Sequence, residues 1–275
     1  MRKFIFKLFI ISSFLFCIFT IYSTVRLEIT YNNPYSKYSL TLNGKEIIKA
    51  IYKSKKTKKI KKLLIGDSVA EQIYSVDNYN DSIYSLTCNQ AITLAGQYCL
   101  LYTFLNNNKD NLPQEIILYY NPFSLQNNLD KFAFHYFLKT FYYNNTFEDL
   151  LNNDIIKNRI QHIPYFYIAK FNIIKSINYS PIYSLKNDAS KLVSPISELY
   201  LNKIDSLCNA YKVPLKFLPS PIRISRKQEI ENLKPRGNKL IDEYYSKIIF
   251  MNDSLFQDPV HFKKEYIPSD PLKLI

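Results

Sequence analysis

Two stretches far apart in the chain hold the residue types of nucleophilic acyl chemistry. The first is Leu63-Leu64-Ile65-Gly66-Asp67-Ser68-Val69-Ala70-Glu71, an apolar run ending in a small residue, a carboxylate and a hydroxyl. A serine placed where a buried strand turns into a helix holds its hydroxyl at the open edge of the sheet. The N–H groups of the helix start point the same way, so a nucleophile and part of an oxyanion hole can share that turn. Gly66 gives the chain room to bend there. The second stretch is Asp258-Pro259-Val260-His261-Phe262. Asp at the first position and Pro at the second favour a type I turn, which brings positions one and four together. The Asp258 carboxylate can then accept from the Nδ1–H of His261, leaving Nε2 to take a proton from a serine hydroxyl. The chain has three His, and one of them sits in this arrangement. His135 and His162 lie in aromatic surroundings and read as packed or surface residues.

Each stretch also has a plainer reading. Ser68 with Glu71 matches a capping box, and Asp67 is a good N-cap, so the first could be only a helix start. The second could be a solvated turn. Between them, Asn89-Gln90-Ala91-Ile92-Thr93-Leu94-Ala95-Gly96-Gln97 reads as a small-residue loop before a helix, where the Gly96 N–H can approach a substrate closely. Asn121 ends a strand that Pro122 stops, and its side-chain amide could be a third donor to an oxyanion. Two of the chain's four Gly thus fall where backbone access would be needed.

In their order and wide separation these residues resemble the SGNH/GDSL hydrolase family. Gly66-Asp67-Ser68 is similar to its first block, Gly96 to the glycine of the second, Asn121 to the asparagine of the third, and Asp258 with His261 to the last. The resemblance covers about residues 62–267. It implies a flavodoxin-like three-layer α/β/α fold with a parallel sheet, and acyl-ester chemistry. Ser68 would be the nucleophile, His261 the base and Asp258 its orienting partner, with the Ser68 and Gly96 N–H groups and the Asn121 amide forming the oxyanion hole. Two features depart from the family pattern. Tyr119 and Pro122 flank Asn121 where the third block reads Gly-x-Asn-Asp, and only 14 residues follow His261, among them Pro268 and Pro271. Such variants resemble the membrane-anchored members that move or remove acyl groups on cell-surface polymers.

The elements that must position these residues follow from periodicity. Apolar runs at residues 62–65, 115–120, 214–218 and 248–251 read as strands, each short and bounded by turn residues. Helical spacing occupies residues 70–79, 98–106, 147–159, 194–211 and 229–241. Strands alternating with helices point to a parallel sheet covered on both faces, with ligands gathering beyond the carboxyl ends of the strands. The aromatic segment at residues 132–143, with Tyr165-Phe166-Tyr167, is of a kind that lines a sugar or acyl pocket or else packs as core.

At 275 residues, 47% hydrophobic and 21% charged, the chain is of ordinary globular composition, which excludes collagen-like and wholly disordered classes. Three units are expected: a signal anchor at residues 1–26, a connecting region at 27–61 ending in a Lys-rich stretch, and an α/β domain at 62–275. After Arg2, Lys3 and Lys7, the eighteen residues Leu8 to Val25 carry no formal charge, just enough to cross a bilayer core of about 30 Å. A cleaved signal peptide is the rival, with Ser23 and Thr24 before the cut. Phe16 beside Cys17 argues against a lipoprotein site. The basic residues crowd the N-terminal flank, whereas Glu28 opposes Arg26, so the N-terminus is expected in the cytoplasm and the body outside it. Seven Lys between Lys53 and Lys62 pull the other way.

A formal charge of +13 suggests nucleic acid or an anionic surface. The excess of Lys, Asn, Ile and Tyr runs through the whole chain, however, and reads as codon bias, and no nucleic-acid-binding signature accompanies it. No HExxH, CxxC or Gly-rich phosphate loop occurs, so no metal or cofactor is expected. Cys17, Cys88, Cys99 and Cys208 imply no disulfide framework. The leading expectation is therefore a membrane-anchored serine esterase or O-acyltransferase for an acylated carbohydrate. Its rivals are a non-catalytic glycan-binding or assembly protein of the same fold, and a polybasic membrane-surface or nucleic-acid binder led by Lys53 to Lys62.

Overall fold

The computed structural model describes residues 1–78, 82–129, 132–142, 145–164, 166–178, 191–234 and 237–267. The chain opens with the long helix α1 (Arg2–Asn32) and the short amphipathic α2 (Lys45–Ser54), then enters the sheet at β1 (Lys62–Gly66). There follow α3 (Ser68–Ile73), β2 (Ile83–Ser85), α4 (Thr93–Asn107) and β3 (Glu115–Tyr120). A π-helical stretch (Ala133–Tyr142) and the short helices α5 (Asn145–Leu151), α6 (Asp154–Ile160) and α7 (Asn172–Lys175) form a long excursion. The chain returns through α8 (Pro195–Tyr211) and β4 (Leu215–Pro219). Last come β5 (Ile222–Arg223), α9 (Lys227–Leu233), α10 (Lys239–Ser246) and β6 (Phe250–Met251).

Four strands make one parallel sheet in the order β2-β1-β3-β4. Alternation along β1 and β3 feeds two separate cores, as the period of two requires. Leu63, Ile65, Ile116, Leu118 and Tyr120 join the larger core with residues of α2, α4 and α8, whereas Leu64, Ile117 and Tyr119 join Val69, Ala70 and Ile73 of α3 and Phe256 and Phe262 near the C-terminus. Both faces are thus buried, and the strands read as nearly unbroken apolar runs. Because Gly66 lies opposite Tyr119 and Tyr120 opposite Pro219, the carboxyl ends of β1, β3 and β4 finish side by side.

Several expectations need correction. Residues 248–251 do not enter the main sheet: only Phe250 and Met251 pair, with β5, in a separate two-stranded ladder. The main sheet instead gains β2, three residues long. The helix expected at 147–159 is two helices, broken where the Asn153 side chain caps α6 by accepting the Ile156 N–H. The one expected at 229–241 divides into α9 and α10, with Pro235 and Gly237 between them. The helix expected at 70–79 ends at Ile73, and Tyr79 lies outside the described residues. Residues 27–61 are more than a connector, because Ile47 and Ile51 of α2 are fully buried in the core shared with Leu63 and Ile65.

Candidate active site

The turn from β1 into α3 is set by Asp67. It is the N-cap, with Oδ1 accepting the N–H groups of Val69 at 3.0 Å and Ala70 at 3.4 Å. Its Oδ2 accepts the Asn121 N–H at 2.8 Å, tying the end of β1 to the end of β3. Burial pushes the Asp67 carboxyl pKa up, against the pull of hydrogen bonds from the Ser124 side chain and from the Asn121, Val69 and Ala70 N–H groups. Since Asp67 does the capping, the Ser68 hydroxyl is free for other work. Ser68 is the first residue of α3, so its N–H has no acceptor within the helix. Gly66 is required by space: a Cβ there would run into the Tyr119 carbonyl oxygen and stand 2.5 Å from the Ala70 Cβ.

Asp258 folds its own turn in the same way. Its Oδ1 accepts the N–H groups of Val260 at 2.9 Å and His261 at 2.8 Å, which holds Oδ2 against the imidazole. His261 Nδ1 lies 2.8 Å from Asp258 Oδ2, and His261 Nε2 lies 2.9 Å from Ser68 Oγ. Although partial burial raises the Asp258 pKa, the hydrogen bonds from Val260, His261 N–H and the imidazole outweigh it and hold the group below its usual value. An ionised carboxylate only accepts, so Nδ1 carries the proton and, in the neutral ring, Nε2 is the acceptor for the Ser68 hydroxyl. The His261 side chain is 26% exposed and that of Asp258 42%, so the constellation opens to solvent on the Asp258 side.

Gln72 is the functional residue that the sequence reading missed. One turn along α3 from Ser68, its Nε2 donates to the Phe262 carbonyl at 2.7 Å and its Oε1 accepts the Phe262 N–H at 3.0 Å. This two-point clamp fastens the residue after His261 to the helix that carries Ser68. The Phe262 ring stacks on Phe256 with centroids 4.7 Å apart, and the two residues form an antiparallel bridge around the turn. A glutamine on a short helix gives no sequence signal of a partner 190 residues away.

Of the two remaining oxyanion candidates, one sits differently from expectation. Gly96 is not in a loop but inside α4, the fourth residue from its start, where its N–H enters the helical ladder toward Ile92. Its lack of a side chain serves packing, since a Cβ would come within 2.6 Å of the Ile92 Cβ. Thr93, at the head of the same helix, has the strained φ of 54°, and its N–H is taken by the Gln90 carbonyl. Asn121 is fully buried, with Nδ2 donating to Ser220 Oγ at 2.8 Å and Oδ1 accepting the Phe123 N–H at 2.9 Å. It therefore braces the loop after β3.

His135 is buried with its ring 5.0 Å from that of Tyr136, and His162 is exposed. Phe134, Phe137 and Phe141 of the aromatic segment are core, while Tyr143 and Tyr165 lie outside the described residues. Cys88, Cys99 and Cys208 are buried free thiols, and Cys17 is exposed on α1. Lys53, at the head of the Lys-rich stretch, is buried and donates to the Val76 carbonyl at 2.7 Å, which removes it from any basic surface. Among the described residues no three His, Cys, Asp or Glu cluster as metal ligands would. No family model matches the chain, and a search of curated proteins finds no match.

Proposed function

We propose that the protein is a membrane-anchored serine esterase or O-acyltransferase of the SGNH type, acting on an acylated carbohydrate or cell-surface polymer outside the cytoplasm. One observation carries the reading: two hydrogen bonds link Ser68, His261 and Asp258 in series although 193 residues separate the serine from the histidine. A helix start needs no such partner, and a solvated turn would not fold back onto it. The three-layer family architecture is supported by a nucleophile after β1, a base and acid in a late loop, and helices against both faces of a parallel sheet.

In the reaction Ser68 Oγ attacks an ester carbonyl while His261 Nε2 takes its proton, and Asp258 stabilises the imidazolium that results. The Ser68 N–H, at the positive end of α3, meets the developing oxyanion. Collapse breaks the bond to the alcohol, which leaves with the proton from His261 and gives an acyl-serine. In the second half, His261 deprotonates water or a sugar hydroxyl, which attacks the acyl-serine and restores Ser68. α1 supplies the anchor: 31 residues long and exposed through its apolar portion, it has the length and composition to cross a bilayer. A fluorophosphonate probe applied to the full-length protein in detergent or bilayer should label Ser68, and Ser68→Ala should abolish labelling. A folded wild-type protein that stays unlabelled would defeat the proposal.

A further inference from the structure

α7 lies alongside α1, and the 3₁₀ turn before it (Phe166–Lys170) packs between α7 and the π-helical stretch. Asn172 Nδ2 donates to Thr24 Oγ1 at 3.0 Å, and Ser176 Oγ donates to Ser23 Oγ at 3.1 Å. Thr20, Ser23 and Thr24 belong to the uncharged stretch between Lys7 and Arg26, so residues 166–177 flank the apolar span itself. A cavity of about 490 Å³ lies between the two, lined by Phe16 and Thr20 on α1 and by Ile168, Phe171, Ile173 and Ile174 across from them. Phe16 stands ten residues before Arg26, about 15 Å down the helix. The flanking segment thus reaches along the half of the span nearer the domain.

The same segment is poorly built for water. α7 has no buried residue, and among residues 166–177 only Ala169 is buried. Tyr167, Phe171 and Ile177 are 65%, 51% and 45% exposed, with Lys170 exposed between the first two. Phe166, Ile168 and Ile174 of the segment pack against the main core, but Tyr167, Phe171 and Ile177 stay outside it, and moving such apolar surface out of water is favourable. In hydrocarbon the arrangement makes sense. Polar side chains near the span pair with one another, aromatic rings face lipid, and the Lys stems reach toward headgroups.

We infer that residues 166–177 form a membrane-inserted lip, a second contact with the bilayer beside α1, whose cavity against α1 holds a lipid acyl chain. The inference rests on α1 being a membrane anchor and is independent of the chemistry at Ser68. The chain has no Trp, so single-Trp variants of the full-length protein report directly. Phe171→Trp in the lip, Phe9→Trp in the span and Ile224→Trp on the exposed body are reconstituted in vesicles of phosphatidylcholine and phosphatidylglycerol, with and without acyl-brominated phosphatidylcholine. Expected are a blue-shifted emission from F171W and a bromolipid-dependent loss comparable with that of F9W, while I224W stays water-like and unquenched. Quenching of F9W with F171W resembling I224W rejects the lip and leaves the anchor standing. A blue-shifted but unquenched F171W means that protein covers the segment and also overturns the inference. If F9W itself is unquenched, the anchor reading fails and the lip fails with it.

Discussion

Gln72 grips the backbone of Phe262 from both sides, donating to its carbonyl and accepting its N–H, and so fixes how far His261 stands from Ser68. Neither hydrogen bond touches a reacting atom, which makes Gln72 a positioning residue. Displacing a catalytic group by about 1 Å can cost on the order of 100-fold in rate. Gln72→Leu is therefore expected to lower kcat about 10- to 100-fold with little change in KM. Gln72→Glu keeps the acceptor for the Phe262 N–H but sets a carboxylate oxygen against the Phe262 carbonyl, so it should not restore kcat. Steady-state kinetics on a chromogenic acyl ester checks this, and a change confined to KM would count against the clamp.

The three residues of the relay should behave as one unit. Ser68→Ala, His261→Ala and Asp258→Asn are each expected to reduce kcat by roughly 10⁴-fold, and combining any two should cost little more than one alone. Losses that multiply in the double variants would mean that the three do not act through a common proton transfer.

Glu71 lies three residues after Ser68, and its carboxyl pKa is pushed up to about 7, mainly by burial, with Glu46 and Asp77 adding to the effect and Lys49 and Ser75 opposing it. A raised pKa means that the folded protein prefers the protonated form. The stability this contributes is complete below the ordinary value of 4.5 and is lost as the pH rises through about 7. Glu71→Gln removes the charge at every pH. Its Tm should match the wild type near about pH 4 and exceed it near about pH 8. Thermal melts across that range decide the matter, and parallel curves for the two proteins would show that the Glu71 pKa is the same folded and unfolded.

Much of this architecture is legible before any coordinates. Residues 62–65 and 115–120 are short, apolar and bounded by turns, and they are β1 and β3 nearly as read. Ser68, Asp258 and His261 stand out because each pairs a reactive type with a turn that can aim it. The failures have physical causes. β2 is only three residues long, too short for alternation to show. Small residues before Gln97 look like a loop, but Gly96 lies inside α4, where a Cβ would run into the Ile92 side chain. The apolar face of α2 adjoins the Lys-rich stretch, whose charges draw attention from Ile47, Ile48 and Ile51. Gln72 and the Asp67–Asn121 strap depend on contacts between distant segments, which no local pattern records.

Asn121 tests where the site ends and its support begins. Its side chain satisfies Ser220 Oγ and the Phe123 N–H in a fully buried position, while the bond to Asp67 comes from its backbone and survives truncation. Asn121→Ala would leave two polar groups without partners, at about 1–3 kcal/mol each. A loss of about 2–4 kcal/mol in denaturant unfolding is expected, with kcat of the folded fraction within about tenfold of wild type. The opposite pattern, normal stability with kcat reduced on the order of 100- to 1,000-fold, is the signature of a lost oxyanion donor. It would make the Asn121 amide an oxyanion donor.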